Sequence, residues 1–122
     1  MKEFVAWFEQ ANADIKTAKN SLESGDYYAS AFWSQQSVEK ILKGFIIKKE
    51  ERLIKIHDLV ILGRKVGLPT NLLDKCERLS KMYLESRYGI IDGIPSKKFT
   101  KIDAANFLSM AEEIIGWVKE KI

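Results

Sequence analysis

The chain has 122 residues and a mass of 14.0 kDa, one domain's worth, since domains cluster near roughly 100–150 residues. Hydrophobic residues make up 46% and charged residues 30%. That balance belongs to a globular chain and excludes a disordered one. A single cysteine, Cys76, excludes an internal disulfide and a Cys-rich zinc site. No apolar run approaches the ~18 residues of a membrane span, and acids among the apolar residues of the N-terminus argue against a signal peptide. The expectation is a cytoplasmic protein with no membrane association.

A net charge of +3 is mild, and its distribution says more than its sum. Residues 39–55 hold six basic side chains (Lys40, Lys43, Lys48, Lys49, Arg52, Lys55) against three acidic ones. Lys97, Lys98 and Lys101 form a second small cluster in a predicted loop. These are solvated lysine faces or, in the functional alternative, weak attractors of phosphate.

Helical spacing runs from the start. Phe4, Trp7, Phe8, Ala11, Ile15, Ala18 and Leu22 fall on one stripe of a first helix. Ser24-Gly25-Asp26 ends it and opens a second, with glycine as C-terminal cap and Asp26 as the next N-cap. The second helix is predicted over about Tyr27–Lys49, antiparallel to the first, followed by a charged loop through Arg52. A short helix follows from about His57 to Val66, closed by Gly67 and Pro69. Thr70 or Asn71 caps a fourth, with Leu72, Leu73, Cys76, Leu79, Ser80 and Tyr83 on one face, failing near Tyr88-Gly89. The glycines and proline of 89–95 make a loop. Thr100 or Asp103 caps the last helix, whose Ala104, Leu108, Ala111, Ile115, Val118 and Ile122 form a seam. The predicted fold is all-α: one domain over residues 1–122, an antiparallel up-and-down helical bundle of about five helices, four long and one short.

The second helix carries the informative departures. At 100° per residue, Tyr28, Ala31, Phe32, Val38, Leu42, Phe45 and Ile46 make the apolar arc, and Gln35 and Glu39 fall inside it. Gln36 and Lys43 sit on its shoulder, and Lys40 on the outer wall. A buried glutamate needs a partner, and Lys43 is in reach at i+4. Either these residues form a core network that fixes helix register, or they line a polar pocket for a ligand. Trp33, Ile41 and Ile47 lie outside the arc. A helix apolar over most of its circumference is either central or also covers a partner, and with so few helices around it a homodimer is expected.

The segment Gly25-Asp-Tyr-Tyr-Ala-Ser-Ala-Phe-Trp-Ser-Gln-Gln-Ser-Val-Glu-Lys-Ile-Leu-Lys43 resembles the signature of HEPN domains. Ile56-His57-Asp58-Leu59 resembles the family's second element, a histidine-aspartate opening a short helix, and Ser86-Arg87-Tyr88 its third. The final helix, from Ile102 to Ile122, fits too, so the resemblance spans nearly the whole chain in order. One departure is that Gly89 and Ile90 follow Tyr88, where related sequences often have Pro-Asp. The resemblance implies a dimeric bundle that binds nucleotide or RNA, often paired with a minimal nucleotidyltransferase partner in a toxin–antitoxin-like arrangement. On that reading Gln35, Glu39, Lys43, His57, Arg87 and Tyr88 would form the nucleotide- or RNA-binding set, with no cofactor and no metal.

Some members of the family are metal-independent ribonucleases with an Arg followed four to six residues later by His on a late helix. Arg52 and His57 meet that spacing, with histidine as base toward a ribose 2′-hydroxyl and arginine as partner of the phosphorane. Arg52, however, falls in a predicted loop between the second and third helices. The competing reading makes His57 a residue that caps or orients the chain, and Cys76 plain packing. A helical interaction module without a ligand is the third possibility.

Overall fold

In the computed structural model, residues 3–88 and 99–122 are described, with side chains at 3–81 and 99–122. Among the described residues five helices form the fold: α1 (Glu3–Ser24), α2 (Tyr27–Glu50), α3 (Leu59–Val66), α4 (Thr70–Tyr88) and α5 (Lys101–Lys121). No strand occurs among the described residues. The all-α bundle of four long helices and one short one is therefore the observed architecture.

Local chemistry sets the ends. Gly25 takes φ +87°, a left-handed conformation open to glycine without strain, and the Asp26 N–H donates back to the Ser21 carbonyl at 2.8 Å. Asp26 stands at the N-cap position of α2, but its side chain makes no capping bond; its carboxylate accepts from Ser24 Oγ at 2.9 Å instead. α2 also runs one residue past its expected end, with Lys48 and Lys49 in the last turn, where cations suit the helix dipole. α3 starts later than predicted. Asp58, not His57, caps it, accepting from the N–H groups of Val60 and Ile61, so His57 lies in the loop just before the cap. Thr100 and Asp103, offered as alternative caps of α5, act together: each side chain accepts from the other's backbone N–H in a capping box.

α2 is the central helix, packed against α1, α3, α4 and α5. Two of its faces are buried. Val38, Leu42, Phe45 and Ile46 join the main core with Leu59, Leu62, Leu72, Cys76, Leu79 and Ile114. A second face, Ser30, Ser34, Ser37, Ile41 and Gly44, repeats at intervals of four and three and meets α1. The serine hydroxyls there donate to backbone carbonyls, Ser30 Oγ reaching Ala18 O across the seam at 2.8 Å. These small residues bring the helices close: a Cβ on Gly44 would lie 2.8 Å from Phe8 Cε1. This corrects the expectation built on α2's outer side. Ile41 is fully buried and Ile47 is 6% exposed within one chain, so neither leaves an apolar surface for a second copy; Trp33 stays half-buried.

α5 runs in the same direction as α2. Tyr28, early in α2, lies by Phe99, and Phe45 and Lys49, late in α2, share a groove with Trp117 and Lys121. α4 runs the other way, its early Lys75 paired with Glu113 late in α5. Ser80 Oγ accepts from Leu59 N at 3.0 Å and ties the start of α3 to α4. That bond fixes the loop from which His57 projects.

Candidate functional site

Helical spacing alone brings Gln35, Glu39 and Lys43 onto one line of α2. All three are buried, at 0%, 6% and 5% exposure. The Glu39 carboxylate is the hub. Its Oε2 accepts from Lys43 Nζ at 3.0 Å and is 2.9 Å from His57 Nδ1; its Oε1 lies 3.4 Å from Gln35 Nε2. Gln36 Nε2 in turn donates to Gln35 Oε1 at 2.7 Å. Lys43 also sits 5.9 Å from the centroid of Trp7 on α1, so its charge is held between a carboxylate and a ring face.

His57 differs from the rest in being 51% exposed. A carboxylate only accepts, so Nδ1 carries the hydrogen of this contact, and in the neutral ring Nε2 is then the acceptor nitrogen. Glu39 thus sets the tautomer and ring orientation of a histidine reached by solvent. The arrangement sets a half-exposed imidazole and a buried ammonium on one carboxylate oxygen. Among the described residues every buried side-chain nitrogen and oxygen has a hydrogen-bond partner, so the network also satisfies itself as a core feature.

Of the residues singled out from sequence, Gln35, Glu39, Lys43 and His57 therefore come together. Arg52 goes elsewhere: it is 64% exposed, its Nε 3.8 Å from Glu50 Oε1. Arg87 and Tyr88 end α4, and their side chains, like Gly89 and Ile90, lie outside the described residues. No group of three His, Cys, Asp or Glu side chains suited to a metal ion gathers among the described residues.

A second ionic contact escaped the sequence reading. Asp14 on α1, 2% exposed, pairs with Lys40 on α2 and accepts from Gln10 Nε2 at 2.9 Å. Lys40 also lies 5.7 Å from the Trp33 ring. It is a strut of the α1–α2 seam, not an outer-wall lysine. The signal was present: Asp14 interrupts the Ala11–Ala18 stripe at a core position.

Comparison with known proteins agrees with this helical bundle. The HEPN domain profile matches residues 4–121. The chain belongs to the HEPN domain family. Among solved structures it is similar to TT1696 from Thermus thermophilus, at 29% identity over 100% of both chains with a TM-score of 0.91. It is also similar to ST0689, an archaeal HEPN homologue, at 30% identity over 99% of this chain and 98% of that one, with a TM-score of 0.86. No curated protein matches the chain. No helix among the described residues is long and apolar enough to cross a membrane.

Proposed function

We propose that this chain is a nucleotide- or RNA-binding regulatory module that works as a homodimer with a nucleotidyltransferase partner in a toxin–antitoxin-like system. The observation that carries the ligand reading is the Glu39–His57 contact: a half-exposed imidazole oriented by a buried carboxylate that also holds Lys43. A phosphate would meet His57 first, while Lys43 supplies field from behind Glu39. Support for the partner comes from membership of the family and from what the resemblance implies. Support for the dimer has narrowed to that resemblance and Trp33.

Calorimetry with mononucleotides and short single-stranded RNA tests the ligand reading. His57→Ala is the informative variant; because Glu39 loses a hydrogen-bond partner with it, a thermal melt first establishes that the variant is folded. Binding by the parent chain, weakened tenfold or more in His57→Ala, is expected; equal affinities, or no heat with either ligand, would end the reading. Light scattering should give a mass near twice 14.0 kDa, and a monomer at micromolar concentration would remove the dimer.

One observation favours a second reading, a metal-independent endoribonuclease. A carboxylate-oriented imidazole is the arrangement a general base needs. Arg52 is not placed beside it, so the phosphorane partner would come from elsewhere. RNA cleavage in chelator that disappears in His57→Ala and persists in Arg52→Ala would favour this reading over the binding module.

A further inference from the structure

Away from the Glu39 network, the C-terminal ends of α2, α3 and α5 frame a groove of about 490 Å³ lined by Phe45, Lys49, Lys65, Val66, Trp117 and Lys121, with Glu50 also on its wall. Lysines in the last turns offset the negative ends of three helix dipoles. They do more than that. Lys19, Lys40, Lys43 and Lys75 each pair with an acid, whereas Lys49, Lys65 and Lys121 are exposed and pair with none among the described residues. The single carboxylate of the groove, Glu50, faces Arg52 at 3.8 Å. Two of the ammoniums rest on rings instead, Lys49 at 5.5 Å from the Phe45 centroid and Lys121 at 5.2 Å from that of Trp117. An ammonium over a ring keeps its charge and loses some freedom, so less ordering remains to be done on binding.

The rings also decide what kind of anion fits. A nucleic-acid strand needs open aromatic faces for its bases. Phe45 is only 6% exposed, and the half-buried Trp117 already carries Lys121. What remains is a short apolar floor, Val66 and the edge of Trp117, among three unpaired ammoniums. We propose that this groove docks an acidic segment of a partner protein, seating one apolar side chain on Val66 and Trp117 and its flanking carboxylates on Lys49, Lys65 and Lys121. No residue is shared with the Glu39–His57 site, so this surface and the nucleotide reading stand or fall separately.

The test is fluorescence anisotropy on the full chain with a labelled peptide, Glu-Glu-Asp-Leu-Phe-Asp-Glu-Glu, its Gln/Asn counterpart, and labelled oligouridylate. The acidic peptide should bind, weaken as salt is raised, and lose at least tenfold in affinity to Lys49→Glu/Lys65→Glu/Lys121→Glu. Glu50→Gln, which needs no folding allowance because Glu50 is exposed, should tighten it severalfold. No binding of the acidic peptide, equal binding of its amide counterpart, or an unchanged affinity in Glu50→Gln would overturn the proposal. So would oligouridylate binding that displaces the peptide and is lost in the triple-lysine variant, since that would make the groove a nucleic-acid surface.

Discussion

Asp14 of α1 and Lys40 of α2, 26 positions apart, form an ion pair across the seam between the two helices. The carboxylate side chain is 3% exposed and the lysine 22%. Removing one partner leaves the other's charge in the seam. Lys40→Ala should therefore cost about 2–4 kcal/mol in urea unfolding, somewhat below a fully dry pair because Lys40 keeps part of its side chain in water. Asp14→Leu/Lys40→Met should recover most of that loss. A single variant within ~0.5 kcal/mol of the parent, the range of an ordinary surface substitution, would show that the pair contributes nothing.

Lys43 and Glu39 obey the same logic more strictly, since both are nearly dry. Lys43→Ala leaves Glu39 with Gln35 and His57 only, and about 3–5 kcal/mol of destabilisation is expected. Lys43→Met/Glu39→Gln should be much milder than either single change. A double-mutant cycle on thermal or urea stability reads the coupling, and additive effects would mean that the 3.0 Å contact carries no coupling energy.

Gly44 is where α1 presses on α2. Alanine there gains about 1 kcal/mol of helix propensity, but its Cβ would come within 3.0 Å of the Phe8 ring and of Trp7 Cβ. A ring packed at the seam yields less readily than a methyl end, so overpacking should win by about 1–2 kcal/mol. Gly44→Ala/Phe8→Leu should regain part of the loss. A Gly44→Ala chain more stable than the parent would show that α1 moves aside freely.

Burial, with the Asp58 charge adding to it, pushes the Cys76 thiol from 9.0 up to about 12. The folded chain then holds a proton that the unfolded chain releases above pH 9, so this group's share of stability is intact below pH 9 and falls as pH climbs toward 12. Cys76 should resist a disulfide reagent at about pH 8 and react only as the chain unfolds. Rapid labelling of the native protein would contradict the packing that surrounds it.

Much of the fold was legible because its signals are local. Gly25, Gly67 and the Thr100–Asp103 pair act within a turn or two of themselves, and each ends or begins a helix as their chemistry requires. Glu39 and Lys43 were legible for the same reason, being one helical turn apart. The bond from His57 to Glu39 spans eighteen residues and depends on the path of a loop, which no spacing encodes. An angle measured from a single apolar face puts Lys40 on the outer wall, where it does not lie. The second buried face of α2 is made of serine and glycine around Ile41; the small residues score as solvent-facing by hydropathy but suit a close helix approach. A single apolar arc likewise leaves Ile41 and Ile47 outside it, although both are buried.

The central position of α2 has a consequence for how the molecule opens. With every other helix packed on it, no unit can detach α2 while leaving the rest assembled. Its amide hydrogens from Ile41 to Ile47, all in buried residues, should exchange with deuterium only through global unfolding. Those of the eight-residue α3 should escape through a cheaper, partial opening. If so, the loop carrying His57 is anchored on one side to the slowest-exchanging segment of the chain and on the other to one of the fastest.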